Sequence, residues 1–92
     1  MRIAFLERFQ REFAKLPPDR KLAFLEVILR LPKAMPQAQA HAGIGLRKLH
    51  QSGIWEARVG LTDRLVFTTS QDEIVLITFG SHDEVKRFLR NL

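Results

Sequence analysis

Residues 53–67, GIWEARVGLTDRLVF, alternate apolar and polar side chains on both sides of a short turn. A period of two is typical of β-strands with one buried face, whereas the apolar positions of an amphipathic helix recur every three or four residues. Trp55 and Ala57 fall on the apolar face of the first strand, and Leu65 and Phe67 on that of the second. The segment therefore predicts a β-hairpin, and the fold has to include a sheet.

Two apolar stripes with helical spacing precede this hairpin. Residues 6–16 carry apolar side chains at i, i+3, i+7 and i+10, and Pro17-Pro18 is expected to end the first helix. A second helix is predicted from about Asp19 to Pro32, because the residue before a proline is disfavoured in the α conformation. The predicted buried face of the second helix consists of Leu22, Phe24, Leu25, Ile28, Leu29 and Leu31.

The remaining elements have shorter signals. RIAF (2–5) is predicted to be an edge strand, PKAMPQAQAHAGIG (32–45) a loop with one helical turn, and EIVLITF (73–79) an interior strand covered on both faces. Ser81 and Glu84 match a capping box, which predicts a closing helix. The order β-α-α-β-β-β-α predicts an α+β fold, in which a helical hairpin packs on a twisted, mostly antiparallel sheet.

Composition excludes several classes of protein. The chain of 92 residues is expected to form one domain, residues 1–92, without a membrane span or a signal peptide. The absence of cysteine favours a reducing, cytoplasmic location. His41, His50 and His82 lack the spacing of metal ligands, so neither a metal nor a cofactor is expected. The net charge of +5 favours a polyanion or an acidic protein as partner, or else reflects an ordinary solvated surface.

Two places in the predicted fold suit anion binding. Arg58 and Arg64 flank the hairpin turn, and guanidinium groups match phosphate oxygens in geometry. The alternative is two solvated arginines, one of them paired with Glu56 or Asp63. His82 lies in the first turn of the closing helix, where free backbone N–H groups bind anions, although a histidine there is also compatible with a plain surface role.

A third group of basic residues precedes the hairpin. Arg47, Lys48 and His50 are expected to line the same groove as Arg58, or else to form a solvated edge. The chain has no Gly-rich phosphate loop, no serine nucleophile elbow and no tyrosine. Arg, Lys and His suit metal-independent cleavage of RNA, because the neighbouring 2′-hydroxyl is the nucleophile and the protein only moves protons and stabilises negative charge.

Three segments resemble the RelE/ParE toxin superfamily, in the order in which the superfamily has them. MRIAFLERFQREFAKLP (1–17) is similar to its opening strand and helix, KLHQSGIWEARVGLTDRLVF (48–67) to its central strands, and ITFGSHDEVKRFL (77–89) to its last strand and helix. The resemblance covers nearly the whole chain and implies a RelE-like fold with the same order of elements.

The resemblance also implies a function. It indicates a toxin of a type II toxin–antitoxin module with an acidic antitoxin partner, and a metal-independent, ribosome-associated mRNA endoribonuclease that inhibits translation. By position, Arg58 and Arg64 match basic residues of the second and third strands, and His82 matches the catalytic histidine of some branches. The residues expected to bind RNA are Arg47, Lys48, His50 and Phe88, the last by stacking.

This sequence departs from the superfamily at two points. Glu56 stands where several RelE-like members have a lysine, and no tyrosine is present for stacking or proton transfer. Two alternatives to the nuclease therefore stay open: a ParE-like inhibitor of DNA gyrase, and a catalytically inactive domain that binds an antitoxin.

Overall fold

The computed structural model describes residues 1–37, 45–50 and 53–92. In chain order the elements are β1 (Arg2–Phe5), α1 (Glu7–Ala14), α2 (Pro18–Ala34), a 3₁₀ turn (Met35–Gln37), β2 (Arg47–His50), β3 (Ile54–Val59), β4 (Asp63–Thr69), β5 (Glu73–Ser81) and α3 (His82–Arg90). The predicted α+β fold is confirmed, with one strand more than expected, because the residues before the hairpin form β2. Residues 38–44 of the predicted loop lie outside the described residues. Within the described ranges, no helix is long and apolar enough to cross a membrane.

The five strands form one sheet in the order β1-β5-β4-β3-β2. β1 lies at an edge, as predicted, and runs parallel to β5, whereas the other three pairs are antiparallel. β5 is interior, between β1 and β4, and its pairing with β1 ends at Phe5 and Leu76. Residues 77–81 of β5 therefore extend past the end of β1.

Helices cover the two faces of the sheet unequally. α1 and α2 pack on one face over the main core, whose largest fully buried residues include Phe9, Phe24, Leu65, Phe67 and Leu76. On the other face, Val85 of α3 packs against Ile54 and Val66. Four residues were predicted to be buried in the sheet: Phe67 and Leu76 are fully buried, and Trp55 and Ile77 are half-buried.

α2 differs from its prediction in length. The helix continues through Pro32 to Ala34 instead of stopping at the proline. Leu31 and Ala34, on either side of Pro32, are both buried in the main core. Their packing holds the last turn in place even though the proline lacks the N–H that would complete a helical hydrogen bond.

α2 also buries fewer leucines than predicted. Its buried face consists of Phe24, Ile28, Leu31 and Ala34, whereas Leu22, Leu25 and Leu29 are exposed at 58%, 37% and 72%. The prediction for these three leucines was wrong, because α2 has a single layer of protein beneath it and only one side of the helix can face the sheet. The three leucines form a stripe at i, i+3 and i+7 on the outer side of α2, here called the leucine stripe.

α3 begins with the predicted capping box. The backbone N–H of Glu84 donates to Ser81 Oγ over 3.2 Å, and the backbone N–H of Ser81 donates to Glu84 Oε1 over 2.8 Å. These two bonds satisfy backbone donors that have no partner within the helix. The direction in which α3 leaves β5 is therefore fixed by the sequence at this junction.

Candidate functional site

The two hairpin arginines lie side by side on the face of the sheet that α3 partly covers, here called the α3 face. Along β3, Ala57 and Val59 face the main core, so Arg58 between them faces the opposite side. In the register of β3 and β4, Arg58 is directly opposite Arg64. Side chains that are directly opposite project from the same face, and two like charges in this position lower the stability of the sheet. The pair is therefore a cost to folding that a bound anion would relieve.

Glu56 partly compensates this charge. It is only 6% exposed, and its Oε2 lies 3.6 Å from Arg64 Nε and 3.9 Å from Arg47 Nε. Arg64 also donates from Nη1 to the carbonyl oxygen of Asp63 over 3.1 Å. These contacts fix the Arg64 guanidinium, and its buried Nε has no hydrogen-bond partner among the residues that the structure describes. The expectation that one of the two arginines is paired with Glu56 thus holds for Arg64.

The Arg58 side chain is exposed and passes close to the backbone of Gly45. Gly45 has a φ of +60°, which L-residues with a side chain rarely adopt, and a Cβ at this position would overlap the Arg58 side chain. Position 45 therefore favours glycine for two reasons: its positive φ, and the Arg58 side chain that occupies the space of a Cβ. Sequence reasoning did not select Gly45, although its position just before β2 and the hairpin was visible.

His82 is the first residue of α3 and is exposed. In the β4–β5 register, Gly80 is the partner of Arg64 and Ser81 the partner of Asp63, so His82 follows directly after the strand residues that face the arginine pair. The two residues after it, Asp83 and Glu84, are acidic. The pKa of Glu84 is lowered chiefly by the hydrogen bond from the Ser81 backbone N–H.

The remaining predicted residues divide between different surfaces. Arg47 is on the α3 face, because it is opposite Glu56 in the β2–β3 register. Lys48 is opposite Trp55, which packs against the main core, so Lys48 lies on the other face and does not share a groove with Arg58. The structure does not describe the side chain of His50.

Phe88 lies on α3 and is half-buried. It packs beside the small cluster around Val85, and the Arg8 Cζ lies 5.4 Å from the centroid of its ring. The ring is therefore already covered by a guanidinium on one side. Of the predicted set, the structure brings together Arg47, Arg58 and Arg64 on the α3 face, with His82 two residues after Gly80, the strand partner of Arg64. Lys48 lies on the other face of the sheet.

One residue that sequence reasoning missed stabilises this end of the sheet. Arg20, near the start of α2, donates from Nη2 to Asp63 Oδ1 over 2.9 Å. The ion pair joins α2 to the start of β4, next to Arg64. The two partners are 43 residues apart in sequence, so no local pattern could indicate the contact.

The arrangement can bind a singly or doubly charged oxyanion. Arg58 offers an exposed guanidinium, Arg64 a fixed and partly buried one, and His82 an exposed imidazole. Among residues 1–37, 45–50 and 53–92, no three His, Asp or Glu side chains cluster as metal ligands.

No protein-family model matches this sequence, and no curated protein matches it at a significant level. Solved structures do match. A chain of the archaeal RelE–RelB complex from Pyrococcus horikoshii has a TM-score of 0.70 at 18% identity, covering 87% of this chain and 92% of that one. A copper-bound mutant toxin from Helicobacter pylori has a TM-score of 0.70 at 25% identity, with coverages of 92% and 98%. The YoeB/ParE toxin from Agrobacterium tumefaciens has a TM-score of 0.67 at 16% identity, with coverages of 89% and 99%.

The chain thus has the fold of small bacterial and archaeal toxins in which helices pack on a mostly antiparallel sheet. The resemblance to the RelE/ParE toxin superfamily, first noted in three segments of the sequence, is confirmed at the level of the whole fold. One fold supports different activities, so the function has to be argued from the side chains of the site.

Proposed function

We propose that this chain is the toxin of a type II toxin–antitoxin module and that it is a metal-independent endoribonuclease that cleaves mRNA on the ribosome. The observation that supports the proposal most strongly is the placement of Arg58 directly opposite Arg64, with His82 following the strand partner of Arg64. Placing two positive charges directly opposite each other lowers stability, and binding a phosphate is a role that would account for this cost.

The chemistry needs only these groups. The 2′-hydroxyl of one nucleotide attacks the adjacent phosphorus, the bond to the 5′-oxygen of the next nucleotide breaks, and the product ends in a 2′,3′-cyclic phosphate. His82 carries out one of the two proton transfers, from the 2′-hydroxyl or to the leaving 5′-oxygen, and solvent water carries out the other. Arg58 and Arg64 hold the negative charge that grows on the phosphorane oxygens, which is worth about 3 kcal/mol for each well-placed donor.

The test is a set of three variants assayed for growth arrest and for mRNA cleavage by primer extension. His82→Ala and Arg64→Ala should each abolish arrest while the fold is retained, since both residues act on the reacting phosphate. Lys48→Ala is the control: it should leave both cleavage and RNA binding at the wild-type level, because Lys48 lies on the other face of the sheet. Cleavage by His82→Ala at the wild-type rate would rule out His82 as the proton-transfer group.

We include an acidic antitoxin in the proposal. Structural relatives are toxins, and one of them was solved in a RelE–RelB complex. The leucine stripe is an exposed apolar surface, and the chain has a net charge of +5, so an acidic, partly apolar protein that also covers Arg58 and Arg64 suits it. Co-purification with the product of a neighbouring gene tests this part; a pull-down from native cells that recovers no such protein would contradict it.

A ParE-like inhibitor of DNA gyrase is the second candidate, and Glu56 is the observation that favours it. The buried carboxylate of Glu56 lowers the net positive charge beside the arginine pair. A lower positive charge weakens phosphate binding, so this carboxylate is unexpected in a nuclease site. Expression of the wild-type chain distinguishes the two: mRNA cleavage supports the nuclease, whereas loss of DNA supercoiling with intact mRNA supports the gyrase inhibitor. Antitoxin binding without either effect supports the inactive domain.

A further inference from the structure

A cleft of about 930 Å³ lies between α1 and α3, at the end of β5. It is separate from the arginine pair on the α3 face. Its floor is formed by residues 78–80 of β5, in the half of that strand that extends past β1. Four arginines line it: Arg8, Arg11, Arg20 and Arg87. We call it the α1–α3 cleft.

Two of these four arginines already form ion pairs with carboxylates. Arg11 forms an ion pair with Glu7 over 3.0 Å, and Arg20 forms the ion pair with Asp63. The carboxylates of the cleft are occupied as well, since Glu12 lies 3.8 Å from Lys15 and Glu84 belongs to the capping box.

Arg8 and Arg87 are the two arginines that remain for a ligand. Neither has a carboxylate within ion-pair distance in the described ranges. The Cζ of Arg8 lies over the ring of Phe88, 5.4 Å from its centroid, and this cation–π contact places the guanidinium at the side of the cleft. Bases of single-stranded RNA stack on such guanidinium planes and on aromatic rings, while arginine forks bind the phosphates.

The cleft adjoins the proposed site. Gly80 lines the cleft and is also the strand partner of Arg64. Arg20 lines the cleft and binds Asp63, the residue before Arg64. Two contacts, Gly80 with Arg64 and Arg20 with Asp63, therefore link the cleft to the arginine pair.

We infer that the α1–α3 cleft is a second subsite for single-stranded RNA, in which Arg8 and Arg87 bind phosphates on one flank of the scissile linkage and the Arg8–Phe88 pair stacks a base. The inference rests on the proposed function, because it assumes that RNA is the ligand of Arg58 and Arg64. An acidic protein segment is the rival occupant; the Phe88 ring beside Arg8 favours RNA, since a nucleobase can stack on an aromatic ring and a carboxylate cannot.

The test measures binding by fluorescence anisotropy. The ligands are 2′-O-methyl oligonucleotides, which cannot be cleaved through the 2′-oxygen, of about 4 and about 12 nucleotides, within the range of single-strand site sizes. The double variant Arg8→Gln/Arg87→Gln is compared with the wild type. The matched control is Arg2→Gln/Arg30→Gln, which removes the same charge from two exposed arginines outside the cleft.

The cleft variant should bind the longer oligonucleotide about tenfold more weakly than the control variant does, and it should bind the shorter one equally well. Its slope of log affinity against log salt should fall by about 1.4, because each phosphate contact to a single strand contributes about 0.7. Thermal unfolding of both variants at the wild-type temperature shows that the fold is retained, as expected for exposed side chains.

Each other outcome has a defined meaning. If the cleft variant binds both lengths like the control, while Arg58→Gln/Arg64→Gln binds neither, the cleft inference is overturned and the proposed function stands. If the arginine-pair variant binds RNA like the wild type, Arg58 and Arg64 do not hold a phosphate and the proposed function fails at that pair. If the wild type binds neither oligonucleotide, the cleft inference is overturned, whereas the proposed function is decided by mRNA cleavage on the ribosome. If the cleft variant keeps its RNA affinity but loses binding to polyglutamate, the cleft is a surface for an acidic protein instead.

Discussion

Replacing Glu56 by glutamine tests the electrostatic account of the site. The carboxylate is 6% exposed, and its Oε2 lies 3.6 Å from Arg64 Nε. At an effective dielectric constant of about 20, unit charges at this separation attract each other by about 4 kcal/mol. The Arg47 partner adds little, because its side chain is 65% exposed and solvent screens the pair.

Part of that attraction is offset by the cost of burying the carboxylate. The substitution also leaves the partly buried Arg64 guanidinium without a counter-charge, directly opposite Arg58. We expect Glu56→Gln to lower the free energy of unfolding by about 2 kcal/mol, which corresponds to a fall in Tm of about 8–16 °C for a domain of this size. The same change should strengthen the binding of sulfate or RNA, since a negative charge beside the anion site is removed.

The measurement combines thermal unfolding with anion titration. Glu26→Gln is the matched control, because Glu26 is exposed on α2 and away from the arginines. The diagnostic result is a lower Tm together with a higher anion affinity in Glu56→Gln alone. If Glu56→Gln unfolds at the wild-type temperature, the buried ion pair contributes nothing to stability and the reasoning is refuted.

Three further predictions follow from particular contacts. Phe9→Ala, which removes a ring packed 5.4 Å from that of Phe79, should cost about 3–5 kcal/mol in urea denaturation. Gly45→Ala should destabilise by about 1–2 kcal/mol through its positive φ and should abolish growth arrest by displacing Arg58; arrest at the wild-type level would contradict this. The lowered pKa of Glu84 means that its cap stabilises α3 at neutral pH and is lost as pH falls through the folded-state pKa, so Glu84→Gln should flatten stability against pH on the acid side; an unchanged profile would contradict this.

The parts of the fold that sequence predicted correctly have local signals. The alternation of residues 53–67 and the capping box at Ser81 each lie within a few residues, and both are present in the structure. β2 was missed because RKLH has no alternation of its own and becomes a strand only by pairing with β3. Leu29 was misplaced because α2 is apolar on several sides, so periodicity alone did not show which side meets the sheet.

For the site as well, the sequence predicted what local patterns determine and missed what depends on contacts between distant segments. That Arg58 and Arg64 share a face follows from alternation and the hairpin turn, and the register places them directly opposite. The face of Lys48 depends on its pairing with Trp55 across a register shift in β2, which the sequence does not show. Contacts such as Arg20 with Asp63 join distant segments, and only the folded chain brings them together.

The parallel pair of β1 and β5 has a consequence for the chain while it is being made. β1 is synthesised early, but its partner Glu73–Leu76 emerges only after the two helices and the three intervening strands. Closing so long a segment is slow relative to forming the hairpin, so we expect the sheet to be completed last. Gly80 and His82 come later still. A chain whose synthesis is interrupted before β5 therefore lacks both the sheet edge that anchors α1 and the histidine beside the arginine pair. On the proposed function, unfinished copies should therefore be unable to cleave RNA.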